Sequence, residues 1–304
     1  MRISTNTIYQ AGISKIGSLQ SEQAKLQQQI STGKRITSPS DDPVAAARVL
    51  ELSYQQGVNS KFADNRQTAQ IKLNTLESNL TSVTNLLVST QSTLVGAGNG
   101  VYSNQERAFI ASELQGSLDA LIGLSNTKDA YGNYLYAGFQ SDTTPFVATA
   151  TGANFMGDSN QQLLQVDAQR QMAVNVTGDS VFQAGSNDIF ATMRDLITLL
   201  NTPITDATTQ AAFTSGLATA IGGVQTTVDN VLTVRANIGS KLNELDSLDT
   251  SGTDRDLQYS KSLSDLQDLD YASALSDLAK QQTVMEAAQK SFVAITGLSL
   301  FDFI

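Results

Sequence analysis

The sequence predicts a mainly α-helical protein with a small β-rich insertion. The helices form an antiparallel long-helix coiled-coil rod, and the N- and C-terminal helical arms pair at one end. Three observations predict this. Apolar residues recur in alternating steps of 4 and 3 in both halves of the chain. Residues 138–182 change texture, to short apolar runs bounded by Gly, Asp and Asn. The order of elements in the first half is mirrored in the second, which makes the two long segments antiparallel neighbours.

The first arm carries Ile16, Leu19, Leu26 and Ile30 on one stripe, with Gln23 in the remaining place. Spacings of 3, 4, 3 and 4 define a heptad seam. Gly33 is where this helix should end. The polar stretch 33–42 follows, and Asp42 with Pro43 supplies an N-cap and a first helical residue for the next helix. There Phe62, Arg66, Ala69, Leu73, Leu76, Leu80, Val83, Leu87, Thr90 and Leu94 stay in phase. A helix over 44–95 would be about 78 Å long. The run GAGNG at 96–100 reads as the turn that ends it, because a phosphate-cradling loop needs a strand before its glycines. A third helix is expected over 105–128, with Glu106, Phe109, Ile110, Leu114, Leu118, Leu121, Ile122 and Leu124 supplying its pattern.

After the β-rich stretch a short helix is expected over 188–200, and a long one over 206–248. The seam of the long helix is Val224, Val228, Val231, Arg235, Ile238, Leu242 and Leu245. Arg235 is read as a register device, or as a side chain reaching past the seam to a partner. The run DTSGTD at 249–254 reads as a second break, with Thr253 capping the last helix. The final arm begins with Tyr259, Leu263 and Leu266. It continues, after a slip of one residue near Asp270, with Tyr271, Leu275, Leu278, Met285, Phe292 and Ile295. The chain closes on LSLFDFI, whose Leu300, Phe301, Phe303 and Ile304 crowd a free end. The expected domains are therefore arms at 1–42 and 255–304, rod segments at 43–138 and 186–254, and an insertion at 139–185.

Composition narrows the function. The chain has no Cys, no His and no Trp. It therefore lacks a disulfide framework, a thiolate nucleophile and the commonest metal ligand. No acid, base and nucleophile assemble into a catalytic pattern, and no cofactor is implied. Asp41 and Asp42 could hold a cation, but no further acid lies near to complete an oxygen shell. A net charge of −10 argues against nucleic acid as a partner. No apolar run has the length of a membrane span or of a signal peptide core, so residue patterns alone suggest a soluble cytoplasmic protein. Residues 1–48 carry +3 and residues 254–304 carry −4, so the arms should attract each other. An isolated arm helix is marginal in water and has few apolar side chains to offset its ordering. The arms should pair with each other and with further copies, as in a polymer subunit.

These residues also resemble a known family. ISTGKRITSPSDDPVAAARVLEL at 30–52, VRANIGSKLNELDSL at 234–248 and DLDYASALSDLAKQQTVMEAAQKSF at 268–292 are similar to the terminal signatures of the flagellin family. GNYLYAGFQSDTTPF at 132–146, the Pro after the double Asp and the ending LSLFDFI are similar to its branch at the hook–filament junction. The resemblance implies a non-enzymatic subunit exported through the flagellar channel without a cleaved signal, to an extracellular place in the bacterial flagellum. It implies a homo-oligomeric ring between a hook-side junction protein and flagellin, and a cytoplasmic export chaperone at the C-terminal region. Assembly would use Ile16, Leu19, Leu26, Ile30, Leu275, Leu278, Met285, Phe292, Leu300, Phe301, Phe303 and Ile304. The joint between arm and rod would be Asp41, Asp42 and Pro43. A filament subunit, or a surface adhesin working through the insertion, are the alternatives.

Overall fold

A computed structural model describes residues 5–98 and 102–297. The elements are α1 (Thr5–Thr32), α2 (Pro43–Ala97), α3 (Asn104–Ser125), β1 (Phe146–Thr149), β2 (Gly152–Phe155), β3 (Leu163–Asp167), β4 (Arg170–Ala173), α4 (Gly178–Phe182), α5 (Ile189–Asn201), α6 (Ala207–Gln267) and α7 (Tyr271–Gly297). The fold is mainly helical with a small antiparallel β region, as the heptads and the change of texture require. It divides into two compact units, one of Met1–Asn59 with Asp254–Ile304 and one of Ser60–Thr253. The division falls inside α2 and α6.

In the Ser60–Thr253 unit the two long helices run antiparallel. Gln70 Nε2 donates to Asp246 at 2.9 Å and Gln91 Nε2 to Gln225 at 2.6 Å, so α6 descends as α2 climbs. Leu73, Leu76, Leu80, Val83 and Leu87 are buried, and so are Val228, Val231, Ile238 and Leu245, while Leu242 is half-buried. Arg235 takes its seam place with a partner: Nε and Nη2 donate to Glu77 Oε1 at 2.9 and 2.7 Å. Its charge is thereby neutralised beside the core rather than left to an uncompensated burial.

The insertion closes the unit with aromatic side chains. The hairpins β1–β2 and β3–β4 are separate two-stranded antiparallel sheets. Phe146, Phe182 and Phe190 cluster with ring centroids 4.8–5.7 Å apart, and Phe146 and Tyr136 each meet Phe182 edge to face. Asn126 fixes β1 by bonding both Phe146 N and Phe146 O, at 2.9 and 2.8 Å. The segment 132–146 is a plug: Tyr136 is fully buried and donates to Asn79 Oδ1 at 2.6 Å. Its burial pushes the phenol pKa upward, so the group stays a donor. On the other hairpin, Arg66 Nη1 donates to Val166 O at 3.2 Å and Lys241 Nζ to Ala173 O at 2.9 Å. Arg170 pairs with Glu244 at 2.5 Å.

Three expectations need correction. The run 249–254 is not a break, because α6 continues through it to Gln267. Thr250 and Thr253 return their hydroxyls to carbonyls four residues back, at 3.0 Å each, so both hydroxyls are satisfied within the helix. Gly252 gives room to a guanidinium: a Cβ there would collide with buried Arg66. The break instead lies at 268–270, where the heptads slip, and Asp270 caps α7 by accepting from Ala272 N at 3.0 Å. In α3 the buried face is Arg107, Ala111, Leu114, Leu118, Leu121 and Ser125, while Phe109 is 67% exposed. A second correction of the same kind appears in the arm.

Candidate assembly site: the paired arms and their joint

Helices α1 and α7 belong to one unit and lie antiparallel. Tyr9 and Phe292 stack with centroids 5.3 Å apart near one end, and at the other a Cβ on Gly33 would lie 2.9 Å from the Tyr271 hydroxyl. On α1 the residues with restricted exposure are Gly12, Ile16, Leu19, Gln23, Leu26, Gln29 and Ile30, Gln29 donating its amide to Arg35 O at 2.5 Å. On α7 they are Ala274, Leu278, Gln281, Met285, Ala288 and Phe292. Apart from Gln29, each set steps by 4 and 3. The expected interface residues Ile16, Leu19, Leu26, Ile30, Leu278, Met285 and Phe292 are therefore brought together. Leu275 is not among them: it is 52% exposed, and its smaller neighbour Ala274 takes the seam. Leu300, Phe301, Phe303 and Ile304 lie outside the described residues.

The seam is only half closed. Leu19 and Met285 are buried, yet Ile16, Leu26, Ile30, Leu278 and Phe292 remain partly accessible. Tyr9, Ile13, Tyr271, Leu275, Val284 and Val293 are exposed around it. A pair of helices can cover one face of each, and here apolar groups stand on the uncovered faces as well.

The joint answers what the paired carboxylates do. Gly33 turns the chain with φ at +70°, in the left-handed region at the end of α1. Asp42 Oδ1 accepts from Ala45 N at 3.0 Å and so caps α2, with Pro43 as its first residue. Asp41 folds the turn itself, accepting from Thr37 N at 3.1 Å and Ser38 N at 3.0 Å, with Lys25 Nζ 2.8 Å from its other oxygen. The Lys25 ammonium, joined by these N–H donors, holds the Asp41 pKa well below the usual carboxylate range. The turn is then sewn to the second break. Arg35 N donates to Gln267 O at 2.7 Å, Leu269 N donates to Gly33 O at 2.9 Å, and Lys34 forms an antiparallel bridge with Asp268. Both carboxylates are spent on structure, and among the described residues no group of three or more potential ligands could hold a metal ion. Among them, too, no helix is long and apolar enough to cross a membrane.

Two buried arginines were not read as buried from the sequence. Arg66 is 1% exposed and bonds Asp249 through Nε at 3.0 Å; its place in the 4–3 stripe between Phe62 and Ala69 was the available signal. Arg107 is 2% exposed, with its guanidinium over the Phe213 ring at 4.9 Å. It too sits in phase with Ala111 and Leu114.

One unit is a long antiparallel helix pair closed by an aromatic β insertion, and the other holds a half-closed pair of terminal arms. The model for the bacterial flagellin N-terminal helical region matches residues 3–141. The chain is 37% identical to flagellar hook-associated protein 3 of Escherichia coli (strain K12), across 99% of both chains. In fold it is similar to a putative flagellar hook-associated protein from Vibrio parahaemolyticus, with a TM-score of 0.69 at 24% identity, covering 75% of this chain and 100% of that one. It is similar also to the flagellar junction protein FlgL from Legionella pneumophila, with a TM-score of 0.63 at 21% identity over 73% of this chain and 100% of that one. The chain belongs to the family of flagellar hook-associated protein 3, a flagellar structural protein.

Proposed function

We propose that this chain is a non-enzymatic subunit of the junction between the hook side and the flagellin filament, and that it assembles as a ring through its arms after export. The observation that carries the reading is the half-closed arm seam ringed by exposed Tyr9, Ile13, Leu275, Val284 and Val293, in contrast to a rod seam that buries Leu73, Leu80, Val83 and Leu87. In this reading the arms are 1–42 and 255–304, the rod 43–138 and 186–254, and the outward insertion 139–185. The neighbours are further copies, a hook-side junction protein and flagellin, and a chaperone holds the C-terminal region before export through the flagellar channel. Flexible arms can be threaded through a narrow passage and gain order where partner helices supply the missing contacts.

The test is complementation of a strain lacking this chain. Wild-type protein should restore filaments, and Leu19→Asp or Met285→Asp should be exported yet leave hooks bare. Export followed by normal filaments in both variants would defeat the reading. Removing residues 298–304 should leave the rod folded and abolish function. Purified protein seeded with filament ends should not elongate; steady elongation would identify a filament subunit instead. A role for the insertion in attachment is better tested by surface substitutions than by its deletion, since Phe146, Val166, Met172 and Phe182 are part of the core.

A further inference from the structure

The segment after α3 presents one aromatic side chain outward on a pinned turn. Asp129 Oδ1 accepts from Tyr131 N at 2.8 Å and from Asn133 N at 2.9 Å, and Gly132 N donates to Asp129 O at 3.0 Å. Gly132 takes the left-handed region that this turn requires, with φ at +87°. Lys128 and Tyr134 form an antiparallel bridge at its base, and Leu135 N donates to Thr127 O at 3.0 Å. Held by these bonds, Tyr131 stands 86% exposed. An exposed ring alone asks for no explanation. This one lines a cavity of about 200 Å³, together with Lys72, Ser141 and Asn175 and the buried side chains of Leu76 and Val174.

We propose that this cavity binds one neutral sugar ring, either a free monosaccharide or the end unit of a glycan. Two charges of opposite sign line it, and together they set the class of ligand. Lys72 Nζ donates to Gln162 Oε1 at 3.0 Å, which uses one of its three protons. Asp129 spends Oδ1 on the turn, while Oδ2 has a long contact with Asn133 Nδ2 at 3.5 Å and keeps capacity to accept. An anion would be repelled by Asp129 and a cation by Lys72, whereas a neutral ligand that both donates and accepts suits the two. Ser141 adds a hydroxyl that works in either direction. Asn175 is spent on structure, accepting from Gln162 N at 2.7 Å and donating to Asn160 O at 3.1 Å. Leu76 and Val174 supply an apolar floor and the Tyr131 ring an apolar wall. A pyranose matches this mixture, because its hydroxyls donate and accept while its C–H face lies against an aromatic ring. A tyrosine on a rigid turn also loses little entropy when a ligand covers it. None of these residues belongs to the arms, so the inference goes beyond the assembly reading.

The test is a titration of the isotope-labelled full-length protein with glucose, galactose, mannose and N-acetylglucosamine, and with the methyl glycoside of each. Concentrations should reach about 100 mM, well above the millimolar affinity that a ligand this small attains. At least one sugar should bind saturably and move the amide resonances of Tyr131, Gly132 and Asn133. Acceptance of its methyl glycoside identifies the end unit of a glycan, and rejection identifies the free sugar. Tyr131→Ala should weaken binding about threefold to tenfold, the worth of one aromatic contact, while the variant melts with the wild type because the ring is exposed. Glycine and acetate, a zwitterion and an anion without a C–H face, are the controls and should leave these amides still. No shift with any sugar, or shifts that Tyr131→Ala leaves unchanged, would overturn the proposal. Tighter binding of glycine or acetate than of every sugar at the same amides would overturn it too.

Discussion

The rod and the arms are built from the same heptad grammar, and they differ in how far each closes. At the rod seam Leu73, Leu80, Val83 and Leu87 have no accessible surface, because α3, α5 and two hairpins cover what the helix pair leaves open. At the arm seam two helices stand together without such cover, and Ile16, Leu26 and Phe292 keep part of their surface. Periodicity therefore says that a helix has a partner face, and the number of surrounding elements says whether the chain can satisfy it alone. The rod closes over its own seam, while the arms leave apolar surface open.

The largest effect should come from breaking the closed seam. Leu80→Asp places a charge at a site with no accessible surface and should cost about 4 kcal/mol or more in thermal unfolding of the monomer. Leu242→Asp, at a half-buried site, should cost less; equal losses would mean that the seam is no more closed at Leu80 than at Leu242. Next comes the buried Arg66 with its exposed partner: Asp249→Ala removes a half-exposed carboxylate and leaves the guanidinium its bond to Val166 O, so it should cost about 1–2 kcal/mol, whereas Arg66→Met, which removes the buried charge, should cost less. Denaturant titration of the two variants distinguishes them. In the arms, Leu19→Asp and Met285→Asp enter a seam that only two helices form, and should cost less in monomer unfolding than Leu80→Asp while blocking assembly. Amide exchange sharpens the same contrast, with slow exchange expected at Leu80 and Val231 and fast exchange at Leu19, Leu26, Leu278 and Phe292 in a verified monomer.

The smallest effect is a pH dependence of the joint. Asp41 and Asp270 both have pKa values lowered from about 3.8, the first by Lys25 and backbone N–H groups, the second by the Ser273 hydroxyl and N–H. A carboxylate whose folded pKa is depressed contributes stability that is fully present above its unfolded value, and that is lost as pH falls through the folded one. The joint should hold unchanged from neutral pH down to about 4 and loosen progressively below it. Asp41→Asn should flatten that acid response, as followed by helix content.

Much of this was legible beforehand, and the misses share a cause. The rod seam, the Asp42–Pro43 cap, the Gly33 turn and the change to strands all follow from local chemistry that a neighbour cannot easily override. The assignment failed where a neighbour decides. Leu275 is larger than Ala274, yet the smaller residue is level with Ile30 and takes the seam. Phe109 is more apolar than Arg107, yet the arginine turns inward onto Phe213. Gly252 and its hydroxylated neighbours look like a turn until the Arg66 guanidinium occupies the space a Cβ would need. The true break at 268–270 was visible as the heptad slip at Asp270, a weaker mark than a run of Ser, Thr and Gly.

The two breaks also give the molecule a natural cutting point. Lys34 and Arg35 are exposed basic residues in a ten-residue turn, while the opposite strand of the joint is a mere three residues ending in Asp270. Trypsin should therefore nick the N-terminal side first. The nicked product would be held only by the α1–α7 seam, the bridge at Lys34 and the bonds of the Asp41 turn. Whether peptide and remainder part on a sizing column is then a direct reading of how firmly one subunit keeps its own arm, and how readily it could lend that arm to a neighbour.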